Sequence, residues 1–145
     1  IKNDPDHFGE QFVADETGDF IRREEQMLII SSSLTLHRAW QIVQDLGGLF
    51  IPAHVNRKAF GLLENLGFVP LDIPIQCVEI SRHLKADQAA LQFPQIAGYP
   101  LLKGGDAHRL DELAGMNEFL LAEPSIREIL LAIEGKDGRT VNIRD

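Results

Sequence analysis

From residue 35 onward the apolar positions fall into a rhythm that the polar opening stretch, up to about Ile30, lacks. Leu36, Ala39, Trp40, Val43 and Leu46 recur at helical spacing, with Thr35 placed to cap the helix and Gly47 to stop it. Residues 48–51, Gly-Leu-Phe-Ile, form a short continuous apolar run of the kind found in a strand covered on both faces. A second helix is predicted over residues 58–66, closed by Gly67. The apolar run Cys77-Val78-Glu79-Ile80 comes next, then a helix over 86–93 stopped by Pro94, and a strand over 101–103. A short helix over 109–113 leads to a strand over 118–122. Ser125-Ile126-Arg127-Glu128 is a capping box opening a helix to about Ile133, and Gly138 precedes a last strand over 139–143. In the opening stretch, Glu16-Thr17-Gly18-Asp19 is a turn signal between two β-prone pieces, 11–14 and 20–22, and predicts a loose arm or hairpin.

Strand starts near residues 49, 76, 101, 118 and 139, separated by helices, argue for βαβ units and an α/β fold with a parallel sheet. An open doubly wound sheet and a segment of a barrel both satisfy this rhythm.

Composition narrows the function more than the fold. With 44% hydrophobic and 25% charged residues the chain is ordinary globular protein, and 145 residues suit a single domain. Twenty-two acidic against 14 basic residues give a net charge of −8, a poor match to a nucleic-acid backbone. No apolar run approaches the roughly 20 residues of a membrane-spanning helix, so no membrane partner is expected. The lone Cys77 cannot form an internal disulfide, and a cytoplasmic location is expected. The first residue is Ile rather than Met, which suggests that the chain begins partway into a gene product.

Parallel α/β folds gather their chemistry at the C-terminal ends of strands. Those ends read Ile51-Pro52-Ala53-His54, then Glu79 before Ser81-Arg82, then Gly104-Gly105-Asp106-Ala107-His108. On extended chain, residues two apart point to the same side, so Asp106 and His108 can aim at one centre. Carboxylate with imidazole suits zinc, manganese or iron(II). Each residue also has a plainer reading. A strand-end His is commonly a surface residue, Asp106 can N-cap the helix over 109–113, and Arg57 can be a surface charge at a helix start. His37 is expected to be exposed, His7 to lie in a solvated arm, and His83 to sit in the loop after Glu79, a secondary candidate for the site's lining. Cys77 reads as a buried small hydrophobe. No nucleophile elbow, phosphate-binding loop or dinucleotide fingerprint occurs.

Gly47-Gly48-Leu49-Phe50-Ile51-Pro52-Ala53-His54, Val78-Glu79-Ile80-Ser81 and Gly104-Gly105-Asp106-Ala107-His108 together resemble the later motifs of the PHP family, the polymerase and histidinol phosphatase metal-dependent phosphoesterases. The likeness runs from about Leu36 to the C-terminus. The earlier arm (1–33), with Asp6-His7-Phe8-Gly9-Glu10 and Arg23-Glu24-Glu25, resembles an insertion of some bacterial members. The resemblance implies that residues 34–145 are the C-terminal part of a distorted seven-stranded, TIM-like barrel lacking its first strands. It implies two or three divalent metals at the barrel's mouth, with His54, Asp106 and His108 as catalytic ligands. Glu79 is a further candidate ligand, and Arg57 a candidate contact to substrate phosphate. The family's opening His-x-His motif occurs nowhere in the chain, so about half the metal shell is expected here, and the chain alone is expected to be inactive.

With the shell completed, a metal-activated water would hydrolyse a small phosphorylated substrate; nucleic acid is not the expected partner. The cofactor would be zinc, manganese or iron. Two other classes fit the same residues: a non-catalytic regulatory module on a degenerate barrel, and an amidohydrolase-like C–N hydrolase. Uncovered barrel strands make a homodimer plausible.

Overall fold

A computed structural model describes residues 1–144, which divide into two compact units, Ile1–Thr35 and the chain from Leu36 onward.

The first unit is a hairpin with a short helix, α1 (Pro5–Phe8), ahead of it. Strands β1 (Phe12–Ala14) and β2 (Phe20–Arg23) pair antiparallel, as the turn signal implied. Asp15 organises the turn: its carboxylate accepts the Thr17 and Asp19 backbone N–H groups, both at 2.9 Å, and the Thr17 hydroxyl at 2.7 Å. Gln11 ties down the following segment by donating to the carbonyls of Glu24 and Gln26 and accepting from the Leu28 N–H. None of residues 1–35 is buried, so this unit rests on polar contacts rather than a core.

In the second unit, α2 (Leu36–Asp45) presents Leu36 and Trp40 to the main core, and Gly47 ends the helix region in a left-handed conformation at φ +71°. Strands β3 (Val78–Ser81) and β4 (Leu101–Gly104) pair in parallel, Val78 opposite Leu101 and Ser81 opposite Gly104. The crossover between them carries α4 (Ala86–Gln92) and a 3-10 turn, Pro94–Ile96. The sheet is covered on both faces. Val78 and Ile80 join Val55, Leu63, Leu84 and Ile96 in one cluster, whereas Cys77 and Leu102 meet Ile133 in another.

The parallel arrangement expected of all the strands is found for one pair only. Among the described residues the six strands form three two-stranded sheets, with no closed barrel. Strands β5 (Asn117–Leu120) and β6 (Thr140–Ile143) run antiparallel, not parallel, Asn117 opposite Ile143. Between them α5 (Ile126–Ile133) is followed by three left-handed residues, Gly135, Asp137 and Gly138, which redirect the chain into β6. The link from β4 to β5 is a side chain: the Asn117 carboxamide accepts the Lys103 N–H and donates to the Lys103 carbonyl, both at 2.9 Å. A carboxamide satisfies one peptide unit but does not propagate a ladder.

Three local expectations also change. Residues 48–51 are not a strand, although Leu49 and Ile51 pack on the second cluster. The Gly48 N–H turns back to Val43, and bonding to β3 begins only at Pro52. The helix over 58–66 contracts to α3 (Leu62–Leu66), because Phe60 is left-handed (φ +60°) and breaks it. The helix over 109–113 is a 3-10 turn, Leu110–Glu112. The Ser125 cap holds, its hydroxyl accepting the Glu128 N–H at 3.3 Å. Glu128 itself is buried and, instead of closing the box, accepts from the Ala122 N–H and from Arg139.

Candidate functional site

The site residues stand where β3 and β4 end side by side. The segment 52–57 is laid along β3 by its backbone: the Glu79 N–H donates to the Pro52 carbonyl (3.0 Å), and the Val55 N–H donates to the Glu79 carbonyl (2.8 Å). Asn56 fastens it with its side chain. Its carboxamide donates to the Ser81 hydroxyl (3.0 Å) and accepts the Ser81 N–H (2.8 Å), and Ser81 is buried. Between these anchors His54 sits at φ +30°, outside the usual range for a side-chain-bearing residue. Its N–H donates to the Glu79 carboxylate at 3.0 Å, and its Nδ1 is buried without a partner among the described residues.

After β4 the backbone turns left-handed at Asp106 (φ +47°), a conformation that Asp tolerates better than most residues. The Asp106 carboxylate forms an ion pair with Arg57, and its other oxygen lies 3.5 Å from His108 Nε2. Asp106 and His108 therefore do share a side, but through a turn rather than extended chain. Nor does Asp106 cap the 3-10 turn, which starts from Arg109. Glu112 in that turn accepts the His108 N–H at 2.7 Å and stands 4.0 Å from Arg82.

These side chains line a cavity of about 220 Å³, walled by Arg57, Ser81, Arg82, His83, Asp106, His108 and Glu112. Of the residues singled out from sequence, Arg57, Asp106 and His108 thus meet in one place, with His83 beside them. His54 and Glu79 pair with each other outside its walls. Asn56, Arg82 and Glu112 escaped the sequence reading. Arg82 follows directly on β3, which was the available signal; the other two act through contacts that exist only once the chain is folded. His7 and His37 are exposed, as expected. Cys77 is fully buried, and burial, with the Glu79 charge as a lesser cause, pushes its thiol up to about 11.

The donor chemistry fits part of a divalent metal's shell. An orphaned buried imidazole nitrogen and a carboxylate–imidazole pair are the right atoms. Their number is insufficient, since no three His, Cys, Asp or Glu side chains converge as a metal-holding group among the described residues. Asp106 is engaged by Arg57 and Glu79 by His54.

No family model matches the chain. It is 32% identical over 105 residues to the uncharacterized protein YqxK of Bacillus subtilis, an alignment that takes in 68% of this chain and 27% of that protein. Among solved structures it superposes on the lesion-specific endonuclease PfuEndoQ from Pyrococcus furiosus with a TM-score of 0.63 and 24% identity, covering 74% of this chain and 28% of the endonuclease. The chain spans about a quarter of the length of either protein. The second likeness establishes a shared α/β fold. No helix of the described residues is long and apolar enough to cross a membrane.

Proposed function

We propose that this chain forms one wall of the site of a metal-dependent phosphoester hydrolase of the PHP type, whose remaining ligands come from outside these residues. The observation that carries the reading is the meeting of Arg57, Asp106 and His108 in one cavity at the ends of parallel β3 and β4. On this reading residues 34–145 are part of a larger TIM-like barrel, and residues 1–33 are an insertion. His54, Asp106 and His108 would hold zinc, manganese or iron, which when bound supplies Lewis acidity and lowers the pKa of water to about 7.

The chain's own contributions follow from its geometry. Arg57 faces the cavity and binds a phosphoryl oxygen once it leaves Asp106; its planar fork suits that partner. His54 and His108 ligate only as neutral imidazoles, so activity falls in acid. A small phosphorylated substrate suits the cavity volume and the net charge of −8. A nucleic-acid phosphodiester is the second reading, favoured by the fold shared with an endonuclease.

Equilibrium dialysis of chelator-treated protein against zinc, manganese or iron(II) tests the proposal. Saturable uptake that His54→Ala abolishes supports it. Absence of uptake, with His54→Ala neutral, favours the non-catalytic module. Parallel phosphate-ester and amide substrates separate phosphoesterase from C–N hydrolase.

A further inference from the structure

The Glu79 carboxylate occupies an unusual place. One oxygen accepts the His54 N–H at 3.0 Å. A methyl group added to Gly104 would collide with all three atoms of this carboxylate, so the group rests directly on the glycine's bare backbone. The backbone of Glu79 holds the same segment on both sides, through Pro52 and Val55. One residue of β3 therefore grips the His54 segment and fills the space that a side chain on β4 would need. Gly104 is not among the left-handed glycines, so its lack of a side chain answers to this carboxylate rather than to backbone conformation.

We propose that Glu79 is a positioning residue and not a metal ligand: its carboxylate, seated on Gly104, is the strut that holds His54 in its strained φ and aims its ring. The hydrogen bond it accepts stabilises a backbone conformation that side-chain-bearing residues rarely adopt. Being committed to a backbone N–H and lying outside the cavity, the carboxylate acts on the site only through His54.

Two measurements decide the matter. The first is a stability cycle and needs no metal. Gly104→Ala lowers the melting temperature by roughly 5–10 °C in the native background, because the new methyl collides with the carboxylate. In a Glu79→Ala background the same change lowers it by less than half as much, because the space is free. Equal shifts in the two backgrounds overturn the strut.

The second is calorimetric binding of zinc, and this arm rests on the proposed function. Glu79→Gln keeps an oxygen for the His54 N–H and leaves affinity within about three-fold, whereas Glu79→Ala weakens it roughly 10- to 100-fold, the range for lost orienting groups. In a His54→Ala background, Glu79→Ala has no additional effect. A loss with Glu79→Gln as large as with Glu79→Ala makes Glu79 a ligand and overturns the proposal. If native protein binds no zinc, the metal reading of this chain fails and Glu79 is no ligand, while the stability cycle still decides the strut.

Discussion

Arg57 and Asp106 lie 49 residues apart in sequence and meet as an ion pair at the mouth where β3 and β4 end. The carboxylate engages the Arg57 guanidinium, and both side chains are partly exposed, at 40% and 32%. Pairs of this kind contribute about 0.2–1 kcal/mol, which an anion can displace.

Asp106→Asn removes this internal competitor. Inorganic phosphate should then bind roughly 3- to 5-fold more tightly, the factor equivalent to the pair's upper worth. Arg57→Gln should abolish the interaction. Phosphorus NMR titration reads both; an affinity untouched by Asp106→Asn means that Arg57 does not receive the anion.

Asn56 makes two hydrogen bonds to Ser81, one of them to the backbone N–H of a buried residue. Asn56→Ala leaves that group unsatisfied and should cost about 1–3 kcal/mol in urea unfolding. It should also expose residues 52–61 to proteolysis before the rest of the unit. Unchanged cleavage in that segment would show that Asn56 is not its fastening.

The Arg139 guanidinium beside Glu128 holds that carboxyl below its ordinary value of 4.5, with the Ala122 N–H assisting. A carboxyl with a depressed folded-state pKa contributes its full stability above the unfolded value and loses it as pH falls through the folded value. The urea midpoint of native protein should therefore fall more steeply below pH 4.5 than that of Glu128→Gln, the two converging in acid. A constant gap between the two curves from pH 7 to pH 3 would contradict the assignment.

Cys77 is fully buried, with its thiol pushed up to about 11. It should resist a thiol-specific reagent at pH 8 in the folded protein and react at once in urea. Rapid labelling of native protein would show that the core around Cys77 and Leu102 opens.

Much of this was legible in the sequence where one residue's neighbours along the chain decide its state. The spacing of Leu36, Trp40 and Val43 announces α2, and the apolar runs at 77–80 and 101–103 announce β3 and β4. Strand direction was not legible, because period-two alternation is the same whichever way a strand runs, and β5 and β6 proved antiparallel. Residues 48–51 look like a strand because they form a continuous apolar run, yet they are only half-buried and no ladder partner reaches them. The shortening of α3 turns on the left-handed Phe60, a residue type that gives no warning of that conformation. Of the residues read from strand ends, Asp106 and His108 line the cavity, whereas His54 and Glu79 pair with each other outside its walls. What each carboxylate grips was invisible: Asp106 takes Arg57, Glu79 takes a backbone N–H, and Glu128 passes over its own cap for Arg139.

Metal-dependent ester hydrolysis by the full-length protein decides between a phosphoester hydrolase and the other readings. With p-nitrophenyl phosphate and bis(p-nitrophenyl) phosphate as substrates, native protein should release nitrophenol from at least one only when manganese or zinc is supplied, and Asp106→Ala should lower kcat at least 100-fold, on the order of losing an essential charged group. Hydrolysis that persists in chelator, or that Asp106→Ala leaves unchanged, would rule out a metal-dependent hydrolase that uses Asp106.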